Sequence, residues 1–86
     1  MPSHTLKDML PGQKAVVVRI TGVGAIRRRL LEMGIITGTT VEMVRYAPLG
    51  DPLELKVNGA LLSVRKEEAA LIEILEQKTG EMSSET

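Results

Sequence analysis

From Lys14 to Ile20 the chain reads Ala15-Val16-Val17-Val18-Arg19-Ile20, β-branched at nearly every position and too short for a helix. Such a run predicts a strand buried on much of both faces. Leu53-Glu54-Leu55-Lys56-Val57 alternates strictly, so Leu53, Leu55 and Val57 face a core. Asn58-Gly59, the strongest short-range hairpin signal, then joins this strand to Ala60-Leu61-Leu62-Ser63-Val64. Thr40 to Tyr46 precedes them as a further strand. It is connected by Ala47-Pro48-Leu49-Gly50-Asp51-Pro52, whose two prolines and glycine make a rigid turn. Leu71-Ile72-Glu73-Ile74-Leu75 returns to alternation as a last strand.

A period near 3.6 appears once. Ala25 to Met33 is built of strong helix formers, with Ile26, Leu30 and Met33 on one stripe assigned to the core. Gly34 suits the left-handed position just beyond the helix end. Two shorter pieces flank the strands. Thr5 can cap a turn that Asp8 answers, before Pro11-Gly12 stops it. Lys66-Glu67-Glu68-Ala69-Ala70 reads as one helical turn.

Five short strands with tight turns and one helix inserted after the first strand predict a mainly β fold: a small antiparallel SH3-like barrel, whose closure would remove exposed edges. Residues 1–75 form that one domain. Residues 76–86 are polar, lack apolar periodicity and are expected to be a disordered tail.

Composition narrows the function classes. The 86 residues carry 11 Lys and Arg against 11 Asp and Glu, with no Cys, Trp or Phe, one Tyr and one His. A chain this short leaves no room for a second domain. Absence of cysteine removes disulfides, thiolate nucleophiles and cysteine-rich metal sites. No apolar run approaches the roughly 20 residues of a membrane span, and no basic segment leads into an apolar stretch at the start, so a cytoplasmic protein is expected. Zero net charge and a lack of stacking aromatics argue against a nucleic-acid partner.

Gly22-Val23-Gly24-Ala25-Ile26-Arg27 follows a strand and opens a helix, yet Arg27 stands where a dinucleotide fingerprint needs its third glycine. The glycines are read instead as a sharp strand-to-helix turn. Arg27-Arg28-Arg29 opposes the helix macrodipole in its first turns, at about 0.3–1 kcal/mol per exposed cation. Such a local violation marks a place to look for function, unless Glu42, Asp51 or Glu54 compensates. On the helical wheel Leu31 lies between Arg27 and Arg28, away from Leu30, so these three residues are candidate partner contacts. Leu49, held out by two prolines, is the fourth. His4, alone in an N-terminus expected to be mobile, is not assigned catalysis or metal. Glu67 and Glu68 diverge on a helix and are read as a solvated face, so neither a catalytic nor a metal set is assigned.

These residues resemble the ferrous iron transport protein A (FeoA) family over about residues 5–75. The marks are Leu6…Leu10-Pro11-Gly12, the block Arg29-Leu30-Leu31-Glu32-Met33-Gly34-Ile35, Gly38-Thr39, Ala47-Pro48-Leu49-Gly50-Asp51-Pro52, and Leu62-Ser63-Val64-Arg65-Lys66-Glu67-Glu68-Ala69. The resemblance implies an SH3-like, non-enzymatic regulator that binds the ferrous-iron permease, a membrane protein with a cytosolic GTPase domain. It also implies kinship with the SH3-like domain of metal-dependent repressors. That kinship leaves open an alternative, a sensor binding ferrous iron or another divalent metal weakly.

Overall fold

The structure, a computed structural model, describes residues 4–77. Six strands form one antiparallel sheet: β1 (His4–Thr5), β2 (Lys14–Ile20), β3 (Thr40–Tyr46), β4 (Leu53–Val57), β5 (Ala60–Val64) and β6 (Ile72–Gln77). Their spatial order is β1-β6-β2-β3-β4-β5. A helix, α1 (Gly24–Glu32), fills the β2–β3 connection, and a one-turn helix, α2 (Lys66–Ala69), the β5–β6 connection. The mainly β, SH3-like expectation holds, with one strand more than expected. Among the described residues the sheet does not close into a barrel, because β1 pairs with β6 while β5 pairs with β4, leaving the two ends unjoined.

The core follows from the pleat. Ala15 and Val17 of β2, Val41 and Met43 of β3, Leu53, Leu55 and Val57 of β4, and Ile72 and Ile74 of β6 are all buried. Alternation puts them on one face, and with no second sheet to cover it that face must curl over itself. Register breaks between Val17 and Arg19 and between Met43 and Arg45 add the local bend that curling needs. Leu6 and Met9 close one side from the first connection, where Thr5 N–H donates to Asp8 Oδ2 at 3.0 Å as its capping role requires. The Tyr46 hydroxyl donates to the Met9 carbonyl and ties that connection to β3. The Asn58-Gly59 hairpin forms as expected, with both residues at positive φ.

Three expectations change. Of the helical stripe only Leu30 is fully buried; Met33 is half-buried and Ile26 is 41% exposed, because α1 meets the core through a single turn. His4 is not loose: it pairs with Ile74 in the sheet. Glu76 and Gln77, assigned to the tail, extend β6 opposite Ala15 and Lys14, since β2 is long enough to take their backbone groups and Gln13 Nε2 donates to Glu76 Oε2 at 2.6 Å. The rest of that tail, 78–86, lies outside the described residues.

The end of α1 is fixed by chain geometry rather than side chains. Gly34, at φ +93°, sends its N–H to the Leu31 carbonyl at 3.0 Å, and Ile35 N–H reaches the Leu30 carbonyl at 3.1 Å. This is the paired bonding of a Schellman motif, completed by burial of Leu30 and Ile35 together.

Candidate functional site

The four candidate contacts divide between α1 and the β3–β4 turn. At about 100° per residue, Arg27, Leu31 and Arg28 span one flank of α1, about 60°, 100° and 160° round from Leu30, so Arg28 is turned farthest from the core. All three are exposed, Leu31 at 38%. Arg29 occupies the opposite flank.

The three arginines do different things. Arg27 Nη1 donates to the Ile20 carbonyl at 3.1 Å, fastening the helix to the end of β2. Arg29 forms an ion pair with Glu68 of α2. The compensating carboxylate is therefore Glu68; Glu54 instead pairs with Arg45 at 2.7 Å and Asp51 caps α2. Arg28 has no hydrogen bond or ion pair among the described residues and extends into solvent beside Leu31. Of the basic run, Arg28 is thus the cation left for a partner.

Glu68 corrects the solvated-face reading. It is 6% exposed, with Oε2 toward Arg29 and Oε1 accepting the Arg65 N–H at 2.9 Å. The signal was present in the sequence: a glutamate in the third position of a helical turn commonly reaches back to cap it. Glu67, beside it, is exposed as expected.

Leu49 is 95% exposed at the tip of its turn. Gly50 N–H to the Ala47 carbonyl at 2.7 Å and Ala47 N–H to the Pro52 carbonyl at 2.9 Å close the turn beneath it. No hydrogen bond or ion pair among the described residues joins this turn to α1. Both are moored to α2, through the Lys66 N–H on Asp51 Oδ1 at 2.8 Å and through Glu68 on Arg29. The four-residue helix therefore fixes both candidate contacts relative to one small element.

The described residues also border shallow clefts, one of them reaching the β3–β4 turn itself. That cleft, about 220 Å³, is bordered by Lys7, Tyr46, Gly50, Leu53 and Lys66. Another, about 270 Å³, lies over Lys14, Thr40, Glu42 and Lys56. The titratable side chains of the linings are Lys7, Lys66 and Tyr46 in the first and Lys14, Lys56 and Glu42 in the second, and the Tyr46 hydroxyl is taken up by the Met9 carbonyl. Among the described residues no three His, Cys, Asp or Glu side chains converge on a point where a metal would sit. Among them, too, no helix is long and apolar enough to cross a membrane. What the arrangement offers chemically is a surface: an exposed leucine next to an unpaired arginine, and a second leucine on a closed turn.

Comparison with known proteins places the chain. A family model described as FeoA domain matches residues 4–75. An "Fe(2+) transport protein A/Fe(2+) transporter FeoB fusion protein" of Porphyromonas gingivalis is 42% identical over 69 residues, which are 80% of this chain and 8% of that protein's length. The solution structure of a FeoA protein from Chlorobium tepidum is 34% identical, covers 96% of this chain and 79% of its own, and superposes with a TM-score of 0.83. Stenotrophomonas maltophilia FeoA complexed with zinc, described as a prokaryotic SH3 domain protein, is 32% identical over 84% of this chain and 89% of its own, with a TM-score of 0.74. A manganese-dependent transcriptional repressor shares the fold alone, at 16% identity and a TM-score of 0.81 over 90% of this chain and 38% of its own.

Proposed function

The chain belongs to the FeoA domain family, and on that premise we propose that it is a non-catalytic accessory of ferrous-iron import. It acts in the cytoplasm, docking on the cytosolic region of the ferrous-iron permease, the part that carries the GTPase domain. The flank of α1 formed by Arg27, Arg28 and Leu31 supplies one contact and Leu49 the other.

The observation that carries this reading is the P. gingivalis relative, in which a transport protein A segment and the transporter are one polypeptide. A permanent covalent link raises the effective concentration of a weak contact to the millimolar range, which serves two parts that work against each other. Between separate chains a contact of this kind is small and transient. An arginine with no internal partner next to a leucine suits it: guanidinium and apolar groups are both enriched at interface cores.

The test is an amide-resolved NMR titration of labelled protein with the permease's cytosolic region, with and without guanine nucleotide and ferrous iron. Shifts centred on residues 25–33 and 47–52 support docking. Shifts that require only iron transfer the lead to metal sensing, for which the zinc complex of the S. maltophilia relative is the supporting observation. If no resonance moves with the cytosolic region, the docking reading fails.

A further inference from the structure

β5 is the last strand of the open sheet and, among the described strands, pairs with β4 alone. Its register runs without a bulge from Val57↔Ala60 to Leu53↔Val64. A two-residue loop makes Val57 and Ala60 the hydrogen-bonded pair that closes the hairpin. Alternation then turns the main-chain groups of Ala60, Leu62 and Val64 toward β4 and those of Leu61 and Ser63 toward the open side. On that side, among the described residues, no main-chain hydrogen bond from a turn or loop takes up Leu61 or Ser63. The strand contains no proline and no charge, so it lacks the usual devices that blunt an edge. Leu61 is 58% exposed, and Ser63 is exposed as well.

We propose that this edge pairs with the same edge of a second copy of the chain, antiparallel about a two-fold axis through Leu62. The outward groups lie at Leu61 and Ser63, symmetric about Leu62, so the reversed strand presents donors to acceptors in register. Leu61 then faces Ser63 of the second copy, and each such pair exchanges two main-chain hydrogen bonds. The charges beside the edge are matched within each copy: Lys56, beside Leu61 on β4, has Glu42 next to it on β3, and Glu54, beside Ser63, pairs with Arg45. A second copy therefore brings no unmatched charge from β4 into the seam. The flanking cations Arg65 and Lys66 fall opposite Gly59 and Asn58, so no cation meets a cation. The interface extends the sheet from six strands to twelve and is isologous as a closed dimer requires.

Sedimentation equilibrium of the full chain up to about 1 mM tests this, together with amide hydrogen exchange at Leu61 and Ser63. The expected result is a mass that rises toward two chains, with exchange at those two amides slowing as concentration increases. Two variants probe the register. Leu61→Glu with Ser63→Lys places opposite charges across each row, and within the chain beside Lys56 and Glu54; it tightens the dimer about tenfold. Leu61→Lys with Ser63→Lys sets lysine against lysine and weakens it about tenfold. Both substitute exposed side chains, and circular dichroism verifies the fold. A monomer at every concentration overturns the proposal, as does a dimer indifferent to both variants.

Discussion

Arg29 and Glu68, 39 residues apart in the chain, form an ion pair in which the two partners are unequally placed. The Glu68 side chain is 8% exposed and the Arg29 side chain 50%. Removing one is therefore not equivalent to removing the other. Arg29→Ala leaves a buried carboxylate without its cation and should cost about 2–3 kcal/mol. Glu68→Gln keeps an acceptor for the Arg65 N–H and lets Arg29 turn to water, so it should cost about 1 kcal/mol or less. Urea denaturation of both variants measures the difference; equal losses would contradict the asymmetry.

Burial ranks the apolar residues of α1. Leu30→Ala opens a cavity under a fully buried side chain and should destabilise by about 2–5 kcal/mol. Ile26→Ala removes a side chain already half in water, and a loss below about 1 kcal/mol is expected. Thermal unfolding separates the two; a large loss at Ile26 would mean that the helix packs more deeply than its exposure indicates.

Two glycines near α1 should respond differently to alanine. At Gly34 a Cβ meets nothing nearer than Asn58 Nδ2 at 3.9 Å, yet the backbone is left-handed, so Gly34→Ala should cost about 1–2 kcal/mol through conformation alone. At Gly22 the backbone is ordinary and the new methyl meets the end of the Leu71 side chain at 3.0 Å. That side chain can move, and the cost of Gly22→Ala should stay below about 1 kcal/mol. Paired denaturation curves decide the order.

For docking, Arg28→Glu with Leu31→Asp should abolish binding to the permease's cytosolic region while costing about 1 kcal/mol of stability or less, since Arg28 faces solvent and Leu31 is partly exposed. Arg27→Ala is a poorer probe because it also releases the Ile20 carbonyl. Leu49→Asp should weaken binding with no change in stability. Calorimetric titration alongside melting distinguishes contact from scaffold; unchanged affinity in the double variant would move the site elsewhere.

Much of this architecture was legible in the residue pattern. Strict alternation at Leu53, Leu55 and Val57, the Asn58-Gly59 turn and Gly34 after the helix are local signals, and local hydrogen bonding decides them. What could not be read depends on contacts distant in sequence. Glu68 looks like any charged residue in a polar turn until Arg29 arrives beside it. Ile26 fits the helical stripe, but how many turns of α1 reach the core depends on where the helix lands. Glu76 and Gln77 become strand because β2 offers backbone groups, not because of their own side chains. Openness of the sheet follows from which strands end up last, and no local pattern encodes that. Of the candidate contacts, the exposure of Arg28, Leu31 and Leu49 was foreseeable from periodicity and turn chemistry; the fastening of Arg27 to Ile20 was not.

The hydroxyl of Tyr46 on the Met9 carbonyl gives the molecule an optical property. Tyr46 is the only aromatic side chain in a protein without tryptophan or phenylalanine. All near-ultraviolet absorption, circular dichroism and emission therefore arise from one phenol, and that phenol is bonded to the first connection of the chain. A spectrum of the chain alone, taken at any stage of unfolding, reports whether the segment around Met9 is seated against β3, undiluted by any other chromophore.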